Sequence, residues 1–186
     1  MSIQISYTKK TLNKSSSNVV FFVDEKFNIK NLQKHLSNSE SLYINDLLKN
    51  IDLKKKIFLF EINSKKKIIL ISIKKNFKSF DIENLGAEFY GRINNGKDNE
   101  YFINSDTVVS KQEFFIGHFL HGLKLKSYSF NKYKTKKKSK LISIYVLGDK
   151  NKPSFQNQLK FKALEEGTFY ARDLVSEPGN ILHPDE

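Results

Sequence analysis

Apolar residues along the chain occur in short runs that are separated by polar, lysine-rich segments. Six runs have the length and the β-branched or aromatic content of strands, at residues 3–7, 18–23, 57–62, 67–73, 100–105 and 141–147. The run NVVFFV at 18–23 hardly alternates between polar and apolar positions, which is typical of a strand buried on both faces. The polar link NSKKK predicts a β-hairpin between the third and fourth runs, and hence one antiparallel pair.

Four further stretches repeat their apolar positions every three or four residues, which predicts helices at 41–53, 82–93, 110–123 and 153–175. In the first helix, Ser39 or Ser41 is the expected N-cap. The expected apolar face of the last, long helix comprises Leu159, Ala163, Leu164, Gly167, Tyr170, Ala171 and Leu174. Because strands and helices are mixed, the sequence predicts an α/β fold, a mixed β-sheet flanked by helices and followed by a long connecting helix.

The composition favours a folded, soluble chain. It has 186 residues, 39% of them hydrophobic and 16 of them Phe, which is enough for a packed core. No apolar run approaches the length of a membrane span, the N-terminal sequence MSIQISYTKK does not resemble a secretory signal, and there is no cysteine. We therefore expect a cytoplasmic protein without a membrane partner, a disulfide framework or a thiol nucleophile.

The net charge of +12 raises the alternative of nucleic-acid binding. Arg92 and Arg172 are the only arginines among 32 basic residues, and specific base readout generally uses arginine. The lysine-rich loop 132–140 follows several aromatic residues, and basic residues interleaved with aromatic ones can hold single strands. A non-specific nucleic-acid-binding module acting through this loop is the alternative function. A charged connection with aromatic residues in the core explains the same pattern without nucleic acid.

Two histidines could belong to a metal site. His118 and His121 lie three residues apart on a predicted helix, so both could face one ion. The zinc-peptidase pattern instead places its histidines four residues apart with a glutamate after the first, whereas Phe119 follows His118 here. Packed or solvent-facing histidines are therefore the preferred interpretation.

Carboxylates could support acid–base chemistry at two places. Glu165, Glu166 and Asp173 lie on the long predicted helix, where a solvated face near lysines explains them. Asp24 and Glu25 follow a strand, a position that α/β proteins often use for function but that acidic residues also occupy in ordinary turns. The glycines match no dinucleotide-binding or P-loop pattern. We therefore assign no catalytic, cofactor-binding or metal-binding residue within this sequence.

Two motifs occur late in the chain. The first, GLKLKSYSFNKYK at 122–134, has the pattern G-x-x-L-x-x-Y-x-F-x-x-Y-K. The second, ARDLVSEPGN at 171–180, is followed by Leu182 and Pro184. These motifs, with their order and separation, resemble the leucyl aminopeptidase (cytosol aminopeptidase) family, in which the second motif lies at the entry to the catalytic domain. The N-terminal part of the chain matches that family only in outline.

The resemblance implies three parts. Residues 1–150 would form an N-terminal α/β domain similar to macro domains, with three layers. Residues 151–175 would be the connecting helix, and 176–186 the start of the catalytic domain. Ser176 and His183 depart from the family pattern, which commonly has asparagine and threonine at these positions.

The resemblance also implies an activity for the full-length parent. It would remove N-terminal residues from peptides with two divalent cations (manganese, zinc or magnesium), as a homo-hexamer. The family's metal ligands and catalytic groups have no matching position in this sequence. A macro-like module binding an ADP-ribose-type ligand would be a third class, but it predicts a glycine-rich phosphate loop, which the sequence lacks.

The last residues favour the interpretation of the chain as a fragment. Pro184, Asp185 and Glu186 resemble the first turn of a helix. We therefore expect a chain that ends just inside the catalytic domain and is inactive alone. Its long helix would lack part of its cover, so the apolar face should pack back on the sheet or pair with a second copy, and a bare face would count against this interpretation. Residues 178–186 are expected to be extended and mobile.

Overall fold

A six-stranded mixed sheet forms the centre of the molecule. The structure is a computed structural model that describes residues 3–7, 17–110, 112–134, 140–179 and 181. The strands are β1 (Ile3–Tyr7), β2 (Val19–Val23), β3 (Ile57–Asn63), β4 (Lys66–Ser72), β5 (Glu100–Asn104) and β6 (Ile142–Leu147). Their order is β1-β6-β5-β2-β4-β3, and β3 is antiparallel to β4 while the other pairs are parallel. The predicted mixed sheet and hairpin are confirmed.

Helices cover both faces of the sheet, which gives the three layers. They are α1 (Asn38–Lys49), α2 (Ser79–Ile93), α3 (Phe115–Lys126) and α4 (Phe155–Ser176). On one face, Phe22 of β2 packs with α2 and α3; on the other, Phe21 belongs to a second core with Ile44 of α1. All five residues of β2 are buried, so the prediction of a strand buried on both faces is confirmed.

The α2–α3 pair is packed backbone against backbone. A Cβ atom added at Gly86 would lie 1.9 Å from the carbonyl oxygen of Phe119, and one added at Gly122 would lie 1.9 Å from the carbonyl oxygen of Glu83. Each helix therefore presents a glycine where the other helix comes closest. Any larger residue would force the two helices apart.

The first helix begins earlier than predicted, and neither Ser39 nor Ser41 is its N-cap. Ser37 is the cap: its hydroxyl accepts a hydrogen bond from the Glu40 amide, and the Glu40 carboxylate accepts one from the Ser37 amide. This reciprocal arrangement is a capping box, which satisfies two backbone donors at once and so outcompetes the later serines. The helix also ends at Lys49, earlier than the predicted residue 53.

The last helix buries a different face from the one predicted. Phe161 packs against α3, and Glu165 and Phe169, four and eight residues further along, are buried. The expected apolar face is open to solvent, with Leu164 50% and Tyr170 67% exposed. The prediction that it packs back on the sheet is therefore wrong, while pairing with a second copy stays a prediction. The predicted mobile segment 178–186 lies largely outside the described residues.

Candidate functional site: a crevice at the sheet edge and the junction of two helices

The strand order creates a topological switch point between β2 and β5. After β2 the chain leads through α1 to β3 and β4 on one side, and after β5 it leads through α3 to β6 on the other side. Because the connections leave in opposite directions and cover opposite faces, a crevice opens outside the carboxyl ends of these two strands. In open α/β sheets this is the usual place for a ligand.

The two strands separate before they end. Their pairing covers only Val19 with Phe102 and Val20 with Ile103, although β2 continues to Val23. Beyond that point the amide of Phe22 donates to the hydroxyl of Thr107 at 3.0 Å instead of to a strand carbonyl. The side chain thus replaces a ladder hydrogen bond and holds the divided strands at a fixed separation.

Asp106 holds the loop after β6 against this opening. One oxygen of its carboxylate accepts hydrogen bonds from the amides of Asp149, at 2.9 Å, and Lys150, at 2.7 Å. The loop turns at Gly148, whose φ of +94° suits glycine, and a Cβ there would lie 2.7 Å from the Asp106 carboxyl carbon. The carboxylate therefore positions Lys150 beside the crevice.

These elements enclose a cavity of about 630 Å³, which we call the β2/β5 crevice. Its lining includes Phe22, Asp24, Leu32, Lys34, Asp106 and Lys150. Of the two acidic residues singled out after β2, Asp24 lies in this lining, where its carboxylate accepts hydrogen bonds from the amides of Lys26 and Asn28 and so stabilises the turn. Glu25 forms an exposed ion pair with Lys74 at 3.7 Å.

The structure separates the two histidines rather than joining them at one site. His118 Nδ1 lies 2.8 Å from Glu83 of α2, and His121 Nδ1 lies 3.4 Å from Glu165 of α4. Each histidine therefore has its own carboxylate partner. Among the described residues, no group of three or more His, Cys, Asp or Glu side chains could hold a metal ion. These residues do not fit a two-metal centre.

Glu165 contradicts the expectation of a solvated carboxylate face. It is only 4% exposed, and its second oxygen accepts a hydrogen bond from Lys124 Nζ at 2.7 Å. Burial is tolerable because the ammonium of Lys124 pairs with this charge and His121 Nδ1 lies 3.4 Å away. Burial, and to a lesser extent the negative charge of Glu165, raises the pKa of the Tyr7 hydroxyl. Glu166 is exposed beside Lys162, as expected.

The two motifs that carry the family resemblance lie against each other. The Tyr128 hydroxyl donates to the Asp173 carboxylate at 2.7 Å, and Arg172 Nη1 donates to the carbonyl of Leu125 at 2.7 Å. The guanidinium of Arg172 also lies over the Tyr128 ring, 5.4 Å from its centroid. The motif residues thus fix the C-terminal half of α4 to the end of α3, which explains why these residue types occur together.

The lysine-rich loop is described only in part. Residues 135–139 lie outside the described residues. Of the others, Lys132 donates to the carboxylate of Glu177, and Lys140 donates to the carbonyl of Gly96 at 2.6 Å. Two loop lysines thus donate hydrogen bonds within the molecule. No comparison with known proteins supports the nucleic-acid alternative.

Within the described part of the chain, no helix combines the length and apolarity that crossing a membrane requires.

No family model matches the sequence. The sequence is 39% identical over 109 residues to a probable cytosol aminopeptidase of Ehrlichia ruminantium (strain Gardel), a match that covers 54% of this chain and 20% of that relative. The chain thus matches about one-fifth of its relative's length.

The same fold occurs in solved structures of other proteins. A mutant of tomato leucine aminopeptidase superposes with a TM-score of 0.70 at 17% identity, covering 100% of this chain and 40% of that one. The bottromycin maturation enzyme BotP in complex with Mn superposes with a TM-score of 0.61 at 12% identity, covering 92% and 34%. At these identities the likeness establishes the fold alone. With the sequence match, it identifies the chain as a homologue of the N-terminal region of the cytosol (leucyl) aminopeptidases.

Proposed function

We propose that this chain serves as the non-catalytic N-terminal domain of a two-metal leucyl aminopeptidase, which removes N-terminal amino acids from peptides. The observation that carries the proposal is the match of 39% identity over 109 residues to a cytosol aminopeptidase. The contact between the two motifs supports it, since Tyr128 and Asp173 join the end of α3 to the helix that would lead into the catalytic domain.

The metal ions would be bound outside these residues. The described side chains do not fit a two-metal centre, because His118 and His121 each face a different carboxylate. We place two divalent cations, manganese, zinc or magnesium, in the catalytic domain of the parent. When bound, such ions supply Lewis-acid catalysis of amide hydrolysis. The manganese complex of BotP, which shares this fold, supports metal dependence.

The exposed face of α4 would be the contact surface for that catalytic domain. Leu164, Tyr170 and Val175 are 50%, 67% and 88% exposed. Exposed apolar side chains on a helix favour burial against a partner, and fully burying a Leu- or Val-sized side chain that was fully exposed contributes roughly 1.5–3 kcal/mol. The bare face counts against the fragment interpretation as the sequence analysis framed it, and burial against a catalytic domain is a separate proposal for what covers it. Assembly into a homo-hexamer and a cytoplasmic location are further parts of the proposal.

Peptidase assays on the chain and on the full-length parent test the proposal. With leucine p-nitroanilide and manganese, we expect the parent to turn over substrate and the 186-residue chain to match its heat-killed control. Loss of the parent's turnover on chelation, and its recovery with added metal, would support the two-metal assignment. Metal-dependent turnover by the chain alone would contradict its non-catalytic role.

A further inference from the structure

We propose that the free edge of β3 pairs with the same edge of a second copy, so that two molecules share one continuous sheet. β3 lies at the end of the strand order, and among the described strands its only partner is β4. An edge strand offers a row of backbone donors and acceptors to another chain. The inference goes beyond the proposed peptidase role and does not depend on it, because it rests on the geometry and charge of this strand.

The hydrogen bonds to β4 define which backbone groups of β3 face outward. The amide of Ser72 donates to the carbonyl of Lys56 at 2.8 Å, so Lys56 faces β4. Successive residues of a strand direct their N–H and C=O groups to opposite neighbours. Every second residue from Lys56 onward therefore faces β4. The backbone groups at the free edge belong to the residues between them, which are Ile57, Leu59 and Glu61.

The middle of β3 lacks the features that usually protect an edge strand. Its pairing with β4 is regular from Ile57 to Glu61, and the irregularity lies beyond, between Glu61 and Asn63. The strand contains no proline. Leu59 is 41% exposed, although Ile69 opposite it on β4 is only 1% exposed. The edge is therefore regular and partly apolar, which favours pairing with another strand.

Symmetry and charge together select one register for an antiparallel pair of β3 strands. A twofold axis perpendicular to the sheet places opposite each residue one whose side chain lies on the same face. One register that joins the outward backbone groups sets Ile57 opposite Leu59 of the second copy, and Lys55 opposite Glu61. Opposite charges directly across a sheet are stabilising. Between residues 54 and 62 of this register, no lysine stands opposite another lysine.

Both charged groups are available for this contact. Lys55 is exposed, and within the described residues no hydrogen bond or ion pair engages its ammonium. The Glu61 side chain is 68% exposed and binds Lys67 through one oxygen at 2.9 Å, while Lys67 has a second partner in Asp98 at 3.0 Å. The other oxygen of Glu61 is thus open to Lys55 of another copy.

Sedimentation velocity of the 186-residue chain tests the inference. We expect a reversible monomer–dimer equilibrium with a Kd of about 0.1 mM, as for a small, transient interface. Lys55→Glu and Glu61→Lys should each weaken dimerisation about tenfold, because symmetry repeats the like-charge pair. An equimolar mixture of the two variants should dimerise as strongly as the unaltered chain, since opposite charges then face each other at both ends of the pair.

Hydrogen exchange of the unaltered chain identifies the surface that pairs. Raising the concentration from about 20 µM to about 1 mM should slow exchange at the outward amides of Ile57, Leu59 and Glu61. Exchange at the amides of Phe58 and Phe60 should not change, because these residues already face β4. Protection that does not alternate along β3 would contradict the proposed pairing. This measurement needs no substitution, so it tests the inference even where a variant fails to fold.

The open face of α4 provides the control. Leu164→Gln changes an exposed apolar side chain outside β3 and should leave dimerisation unaltered. Weakening by this substitution but not by the charge variants would assign self-association to α4 and overturn the inference. A chain that stays monomeric at about 1 mM would also overturn it, as would a mixture of folded variants that does not recover dimerisation. None of these measurements involves peptidase activity, so they stand or fall separately from the proposed function.

Discussion

The helices α3 and α4 pack against each other, but they differ in how much of each helix is buried in the domain. Eight of the 12 residues of α3 are buried, whereas only two of the 22 residues of α4 are buried. The burial of α3 comes from apolar side chains and glycines facing the sheet and α2, while α4 is attached by two aromatic residues and polar contacts. The difference indicates that α3 belongs to the core of this fold, whereas α4 leaves most of its surface exposed.

The two helices also differ in the interactions that hold them. The α2–α3 contact tolerates no side chain at Gly86 or Gly122, so it is specified by shape. The α3–α4 contact combines shape and charge: an added Cβ atom at Gly117 would lie 2.3 Å from the Phe161 ring, and the buried Glu165 accepts a hydrogen bond from Lys124. Shape complementarity is insensitive to salt, whereas the charge pairing at Glu165 is weakened by it.

The largest expected effect comes from filling the α2–α3 contact. Gly122→Ala places a Cβ atom 1.9 Å from the Glu83 carbonyl oxygen, so the helices must separate. We expect the free energy of unfolding in urea to fall by about 3 kcal/mol. The matched control on α4 is Gly167→Ala, where nothing lies within 4 Å of the added atom. This control should stabilise the chain by roughly 0.5–1 kcal/mol through helix propensity. Equal effects of the two substitutions would remove the contrast between the helices.

An intermediate effect is expected at the polar centre of the α3–α4 contact. Glu165→Gln leaves the ammonium of Lys124 and the ring of His121 without their charged partner, at a cost of about 1–3 kcal/mol. Hydrogen exchange should accelerate for α4 amides before those of α3. Glu166→Gln is the control, because the exposed pair of Glu166 with Lys162 is worth at most about 0.5 kcal/mol. Unchanged protection of α4 in the Glu165 variant would show that packing of Phe161 and Phe169 alone holds the helix.

A smaller effect is expected on the open face of α4. Leu164→Gln should change the stability of this chain by no more than about 0.5 kcal/mol, because Leu164 is half exposed and glutamine is a good helix former. In the full-length parent the same substitution should cost more, since we propose that the catalytic domain covers this face. Thermal unfolding of both proteins measures the difference. Identical small effects in the two proteins would contradict that docking surface.

The smallest effect concerns pH at the C-terminal end of α4. Hydrogen bonds from Lys132 and Tyr133 hold the pKa of the Glu177 carboxyl below its usual value. Because this pKa is lowered in the fold, the contact stabilises the chain above the unfolded pKa of about 4.3 and is lost as pH falls through the folded value. NMR titration should show a Glu177 midpoint below about 4.3, and the protection factors of amides at the end of α4, corrected for intrinsic exchange, should fall in acid. A midpoint at or above the unfolded value would refute the contact, and Glu177→Gln should abolish this pH dependence of the protection factors.

The sequence predicted those parts of the fold that local patterns determine. The strand NVVFFV and the hairpin joined by NSKKK follow from side-chain chemistry and spacing. The cap of α1 was missed although its signal is local. Ser37 and Glu40 form the S-x-x-E pattern of a capping box, which outweighs the serines inside the helix.

The buried face of α4 could not be read from periodicity alone. The helix carries two possible stripes, and the one that is buried contains Glu165, a residue type that is exposed unless it is paired. Its partners Lys124 and His121 are remote in sequence. The β2/β5 crevice also could not be predicted from the sequence, because its existence depends on β5 lying beside β2 in the sheet. The polar residues directly after both strands, Asp24 and Asp106, were the available signal.

The pairing of β1 has a consequence for synthesis on the ribosome. Among the described strands, β1 bonds only to β6, with Ile3 opposite Ile142, so it lacks this sheet partner until residue 142 has been translated. At about 5–20 residues per second, that delay is on the order of ten seconds. The inner strands β2, β4 and β5 can assemble earlier, and we expect β1 to join the sheet last. A slow final phase in refolding, lost when β1 is deleted, would therefore record the docking of β1.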